Sequence, residues 1–389
     1  MRILITGSRA PVALDLSRRF HRDGHTVIHA DSLPHGIGMR SRTAARSYLV
    51  PRPVDSPQSY VESLAAIVEK ESIDWLIPTC EEVFFIAAYR SLLSCKVLID
   101  DFATLARIHN KWEFSRFAGN DFARAPETIL LDDSAEQSAN LAEQFSAGDD
   151  PADWVFKPVF SRFASRTLIG PTRAELQKVV PVAGELWIAQ RRIRGTEFST
   201  YSVATKGRLL AHVTYHSLYR AGLGSGICFH PIEVSAIEEF VRHFVETTSY
   251  TGQIGFDFLQ DAAGRCWVLE GNPRATSGIH LFAATDPLAD ALLTTRTQDD
   301  VLKPSSNRPA MVEFAMPFWG VIDSVRRGHW MQFIPDMLRS RCTILSLRDL
   351  GPALGIPRDL WTIASIARKE QRTLQQASTF DIEWNGDAM

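Results

Sequence analysis

Over the first hundred residues the apolar positions switch repeatedly between strand and helix spacing. Residues 2–6 form a short apolar run of strand length, and residues 12–22 carry Val12, Leu16 and Phe20 on one helical face. Residues 25–31 predict a second strand and residues 60–71 an amphipathic helix. Residues 74–78 predict a strand, 82–91 a helix and 96–99 a further strand. Strands alternating with helices imply a parallel sheet of the doubly wound α/β type, over residues 1–105.

The pattern changes beyond residue 105. Residues 102–117 read as one helix, 154–158 and 166–169 as strands, and 172–180 as a helix with Thr172 as N-cap. Residues 186–190 predict a strand, and 198–204 with 208–216 a hairpin around Lys206-Gly207. Residues 235–249 keep Ile237, Phe240, Val241, Phe244 and Val245 on a 3.6-residue period, as a half-buried helix does. Hairpins mixed with helices imply an α+β arrangement of antiparallel sheets covered on one side. A Pro/Ser-rich break at 303–309 precedes a mostly helical tail that suits a lid, an interface or a structural cap. Its Phe314, Phe318, Trp319, Trp330 and Phe333 are expected to pack in a core, with an acyl pocket as the alternative.

Composition narrows the class. A chain of 389 residues predicts two or three domains, and 45% hydrophobic residues are ample for cores. A net charge of -3 argues against a general nucleic-acid or anionic-membrane binder. The sequence has no run of 18 apolar residues, so no transmembrane helix is expected. The opening residues read as a strand and not as a signal peptide. Five scattered cysteines without a CxxC pair argue against zinc and disulfide frameworks and for a reducing cytoplasm.

The chemistry concentrates in Gly255-Phe-Asp257-Phe and Leu269-Glu270-Gly-Asn272-Pro-Arg274. The two segments predict a hairpin turning at Asp261-Ala-Ala-Gly264, with Asp257 on the partner strand. Glu270, Asn272 and Arg274 share one face if the strand runs that far. Two carboxylates and an amide oxygen are hard ligands that suit Mg²⁺ against phosphate, and Mn²⁺ in its place. Upstream, Lys157 ends an apolar strand and can place a point charge on nucleotide phosphates; Lys111 can supply a second, and Ser161 starts a polar loop over them. An extended backbone over Gln190, Arg191, Arg192 and Ile193 can bond an adenine edge. Gly195 permits a tight turn, and Glu197 can accept ribose hydroxyls. The stretch Tyr219-Arg220-Ala-Gly222-Leu-Gly224-Ser-Gly226 reads as a flexible loop, either a bland surface turn or a closure that brings Arg220 to an anionic substrate. His212, His216 and His230 lack metal-site spacing and read as structural, while Thr276, Ser277, Gly278 and His280 are candidates for an acceptor pocket.

In this order the segments resemble the ATP-grasp family of carboxylate–amine ligases, which includes biotin carboxylase, carbamoyl phosphate synthetase and D-alanine–D-alanine ligase. The resemblance covers roughly residues 1–295 and rests on Asn110-Lys111, Val155-Phe-Lys157-Pro, Gln190 to Glu197, Gly255-Phe-Asp257-Phe and Leu269 to Arg274. It implies a pre-grasp domain at 1–105, two lobes at 106–185 and 186–300 that clamp ATP, and a C-terminal extension at 301–389. It implies Lys111 and Lys157 on the phosphates, Gln190 to Ile193 on adenine, Glu197 on ribose, and Asp257, Glu270 and Asn272 on Mg²⁺. Arg274 resembles the arginine that holds the substrate carboxylate or its acyl phosphate. The expected partners are a small carboxylate and an amine, with a homodimer left open. One departure stands out: the phosphate loop of many relatives is glycine-rich, whereas here it reads Ser161-Arg-Phe-Ala-Ser-Arg166.

Two readings of other classes compete. The opening unit through Asp31 looks like the first half of an NAD(P)-dependent Rossmann oxidoreductase, but Ser8-Arg-Ala-Pro-Val-Ala13 lacks the later glycines of that fingerprint. A non-catalytic ATP-binding regulatory module would not need Asp257, Glu270, Asn272 and Arg274 together.

Overall fold

Ile3, Leu4 and Ile5 are all fully buried, which requires cover on both faces of their strand. In the computed structural model they lie in β1 (Arg2–Thr6), at the centre of a parallel sheet with β2 (Thr26–Asp31), β3 (Ala44–Leu49), β4 (Trp75–Ile77) and β5 (Lys96–Val97). The order is β3-β2-β1-β4-β5, as expected for a doubly wound domain. The structure describes residues 1–122, 124–131, 145, 150–162, 166–176, 186–222 and 224–387. The strand order reverses between β1 and β4, so a crevice opens beyond their C-terminal ends, where Gly7 to Arg9 faces Pro78 to Glu82. Strand β3 was not expected: it is an edge strand, Ala-Ala-Arg-Ser-Tyr-Leu, without apolar alternation.

The single helix expected over 102–117 is two, Phe102–His109 and Lys111–Phe122. Asn110 leaves the helical region and its Oδ1 accepts the N–H groups of Trp112 and Glu113, each at 3.0 Å. That cap starts a new helix with Lys111 in its first turn.

A four-stranded antiparallel sheet follows, formed by β6 (Thr128–Leu131), β7 (Trp154–Pro158), β8 (Leu168–Ile169) and β9 (Trp187–Arg191) in the order β6-β9-β7-β8. Its core includes Trp154, Phe156 and Trp187. The helix begun by Thr172 is described over Arg173–Leu176, where Thr172 and Glu175 cap one another; its expected continuation to residue 180 lies outside the described residues.

The largest sheet has seven strands: β10 (Thr196–Thr205), β11 (Arg208–Ala221), β12 (Ser225–Ile232), β13 (Gly252–Gln260), β14 (Cys266–Asn272), β15 (Ala310–Met311) and β16 (Arg341–Cys342). Their order is β14-β13-β10-β11-β12-β15-β16. Lys206 and Gly207, at φ 47° and 79°, turn β10 into β11 as a tight hairpin requires. The helix Ser235–Thr248 buries all five residues of its predicted stripe. Tyr219 to Ala221 belong to β11, which shortens the expected loop: Tyr219 is buried and its hydroxyl donates to Asp336 at 2.7 Å.

The tail supplies β15, β16 and the helices Val321–Arg326, Trp330–Arg339 and Gly351–Lys369. Of its aromatic residues Phe333 packs in a core, but Phe318, Trp319 and Trp330 are 71%, 50% and 65% exposed, against the expectation of packing. Helix Trp330–Arg339 turns Phe333 inward and leaves Trp330, Ile334 and Leu338, one stripe further round, outside. Beyond residue 377 the chain returns to the first sheet and buries Asp381, Ile382 and Trp384.

Candidate active site

Strands β13 and β14 pair so that Asp257 lies opposite Glu270, with a bulge immediately after. Each carboxyl group therefore leaves the same face of the sheet, beside the other. Ser199 of β10 donates to Asp257 Oδ1 at 2.6 Å, and Asn272 Nδ2 donates to Asp257 Oδ2 at 3.2 Å. Strand β14 ends at Asn272, so Arg274 sits past the strand; its Nη2 still reaches Asn272 Oδ1 at 3.3 Å.

Two lysines close on this pair from the other side. Lys111 is buried and its Nζ lies 3.3 Å from Glu270 Oε2, while also donating to the carbonyl of Ser161 at 2.9 Å. Lys157, at the end of β7, is buried as well. Burial lowers its pKa to about 8, Lys111 pushes in the same direction, and Glu270 and Asp257 oppose them. Burial also acts to raise the Glu270 carboxyl, but Lys111 and Lys157 outweigh it and hold Glu270 near 2. Asp257 takes the opposite course: burial and the charge of Glu270 push it up to about 7. The two neighbouring carboxyl groups are thus driven in opposite directions, one by the lysines and the other by burial beside a like charge.

The predicted adenine segment is partly committed to the sheet. Gln190 and Arg191 lie in β9 between partners on both sides, and Arg192 N–H donates to the carbonyl of Asp153 at 2.8 Å. The chain leaves the ladder only at Arg192 and Ile193. Glu197 and Arg220, expected to serve ribose and substrate separately, form an ion pair with each other. Ser161 enters through its carbonyl, on Lys111. His280 is buried against Asp15 at 3.0 Å, on the helix Pro11–Arg22. His212 is saturated by Ser202 and Thr214, each at 3.0 Å, as a structural histidine is.

Sequence reasoning missed Glu81. It lies beyond β4 at the mouth of the crevice, buried, in ion pairs with Arg162 and, at 3.7 Å, with Arg274, and 3.9 Å from the ring of His109. Its burial favours the neutral acid, but Arg162, then His109 and Arg274, hold it near 2. The signal available was its place: an acidic residue just past a parallel strand at a sheet switch point. The same crevice disposes of the dinucleotide reading. Asp31, the acid that would meet a ribose, is bound to Arg9, and Arg9 is bound in turn to Asp381.

No protein-family profile and no curated protein matches the sequence. Solved structures do match. N5-carboxyaminoimidazole synthetase from Staphylococcus aureus is similar with a TM-score of 0.59 and 11% identity, over 82% of this chain and 85% of that one. L-amino acid ligase from Bacillus licheniformis is similar with a TM-score of 0.57 and 15% identity, over 75% and 74% of the two chains. Biotin carboxylase from Campylobacter jejuni, in its β,γ-ATP complex, is similar with a TM-score of 0.58 and 14% identity, over 75% and 70%. The chain has the fold of the ATP-grasp ligases.

Proposed function

We propose that this protein is a ligase that uses ATP and Mg²⁺ to activate a carboxylate as an acyl phosphate and joins it to an amine, releasing ADP and phosphate. The observation that carries the reading is the cluster in which buried Lys111 and Lys157 close on the half-buried carboxyl groups of Asp257 and Glu270, with Lys111 Nζ 3.3 Å from Glu270 Oε2. Asp257, Glu270 and Asn272 present the hard oxygens that Mg²⁺ or Mn²⁺ takes. Among the described residues no three His, Cys, Asp or Glu side chains converge, so phosphate oxygens and water would complete the coordination. The ion would supply charge neutralisation at the phosphoryl oxygens.

The remaining work falls to the chain's own side chains. Lys157 and Lys111 face the phosphates, and positive charge fixed in a closed site favours a transfer whose charge spreads over the phosphoryl oxygens. The backbone at Arg192 and Ile193, where it leaves the ladder after Gln190 and Arg191, bonds the adenine edge. Glu197 accepts from ribose, its carboxylate steadied by Arg220. Arg274 offers a planar fork to the substrate carboxylate. The carboxylate oxygen attacks the γ-phosphorus and ADP leaves. The neutral amine then attacks the acyl carbon, a C–N bond forms, the C–O bond to phosphate breaks, and the amine proton passes to phosphate or water.

Amide- or peptide-forming chemistry is the preferred substrate class. The test is ATP turnover with a panel of carboxylic and amino acids, with and without amines. ADP formation that needs both a carboxylate and an amine supports the reading. Formation of AMP, or NADH binding without ATP binding, overturns it.

A further inference from the structure

The loop that follows Lys157 carries no glycine to wrap a phosphate, and Arg162 within it is fully occupied. Its Nε and Nη2 meet Glu81, its Nη1 meets Asn385 Oδ1 at 3.0 Å and Glu383 at 3.2 Å, and its Nη2 meets the carbonyl of Trp384 at 2.8 Å. Every nitrogen of the guanidinium has a protein partner, so this arginine has no donor left for a substrate. It acts as a tie. On one side is the crevice of the first sheet, on the other the last residues of the chain, and Ser161 beside it holds Lys111 through its carbonyl.

Residues 378–387 are themselves anchored twice. Asp381 has no exposed surface and grips Arg9 with both oxygens, at 2.6 and 2.8 Å, while Ser32 donates to it at 2.6 Å. Trp384 lies among Phe84, Phe102, His109 and Phe160, with ring centroids 5.0, 5.3, 6.3 and 5.4 Å away. Phe160 belongs to the loop, and a Cβ on Gly386 would come within 2.4 Å of its ring. A buried pair and an aromatic cluster of this kind are costly to break, which makes the segment a fixed strap and not a flap.

We propose that this C-terminal strap holds the phosphate-side loop in its working place, and that Arg162, Glu383, Trp384 and Asn385 are positioning residues for nucleotide binding. This chain fastens its glycine-free loop from behind. The proposal rests on the reading that Lys111 and Lys157 face ATP.

The test uses the full chain carrying Glu383→Gln with Asn385→Ala, which spares the Asp381 and Trp384 anchors, and separately Arg162→Lys, which keeps the charge and loses the fork. Hydrogen exchange over 159–162 is expected to speed up about ten-fold in both, and MgATP affinity to fall about ten-fold. Exchange in the hairpin of β13 and β14 should not change. Wild-type MgATP affinity in folded variants overturns the proposal, even if the loop exchanges faster. A parent chain that binds no MgATP overturns the nucleotide reading instead, and unchanged loop exchange then overturns the tether by itself. If Arg162→Lys does not fold, the double variant decides.

Discussion

Lys111 Nζ and Glu270 Oε2 lie 3.3 Å apart although one begins a helix and the other sits in a β-strand of another layer. The approach depends on Gly271, where a Cβ would come within 2.6 Å of Ile108 Cγ2 on the preceding helix. Replacing Gly271 by Ala should cost about 1–3 kcal/mol through overpacking, read as a lower urea midpoint, and should move Lys111 away from Glu270. Unchanged stability would mean that the helix yields to the extra methyl at no cost.

Glu270→Gln keeps the shape of the side chain and removes its charge. ATP turnover should drop about a hundred- to thousand-fold, the scale of losing a preorganised charge interaction at a transition state. Circular dichroism and gel filtration should match the parent chain. Turnover within a few-fold of the parent would remove Glu270 from the metal-holding role.

On the proposed reading, the opposed shifts of Asp257 and Lys157 should make nucleotide binding a proton-coupled event whose sign reverses with pH. Below about 7 Asp257 is protonated in the free protein, and a bound cation expels that proton. Above about 8 Lys157 is neutral, and a bound phosphate returns its proton. Titration calorimetry of MgATP in buffers of different ionisation enthalpy should therefore show proton release at acid pH and uptake at alkaline pH. A single sign across the range would contradict the assignment of one residue or the other.

Glu81 ties Arg162 and Arg274 together, and its removal takes from the buried Arg162 one of its two carboxylate partners. Glu81→Gln should cost about 3 kcal/mol at neutral pH in a urea titration. Its carboxyl is depressed from 4.5 to about 2, so the stability it contributes is present above the unfolded value and is lost as pH falls from 4.5 towards 2. The gap between parent and variant should accordingly narrow across that interval. A constant gap would assign the loss to packing.

The hairpin itself was legible because it is local, a turn between two short strands, but the pairing of Asp257 with Glu270 was not: the regular register would set Asp257 against Leu269, and the bulge beside Phe258 shifts it by one. The break at Asn110 was not, since apolar spacing runs on through Phe114 and Phe117 and only the cap interrupts it. Strand β3 was hidden because an edge strand buries little and needs no apolar alternation. Glu81 and Asp381 meet cations far off in the sequence; their partners Arg162 and Arg9 are 81 and 372 positions away, and an acid carries no sign of the cation it will meet. The exposed Phe318, Trp319 and Trp330 show the converse, since aromatic content predicts burial on average and does not say which side of a helix wins.

The grip of Asp381 on Arg9 joins the turn before the first helix to a residue 372 positions further along the chain. A ribosome adds about 5–20 residues per second, so Arg9 waits tens of seconds for its second carboxylate. Until then Asp31 is the acidic partner, of the two, that the chain can offer that guanidinium. Nascent chains arrested before residue 378 should thus be cut by protease near Gly7 to Arg9, and chains released at full length should resist. The crevice of the first sheet therefore gains its Asp381 contact only once the chain has been made through residue 381.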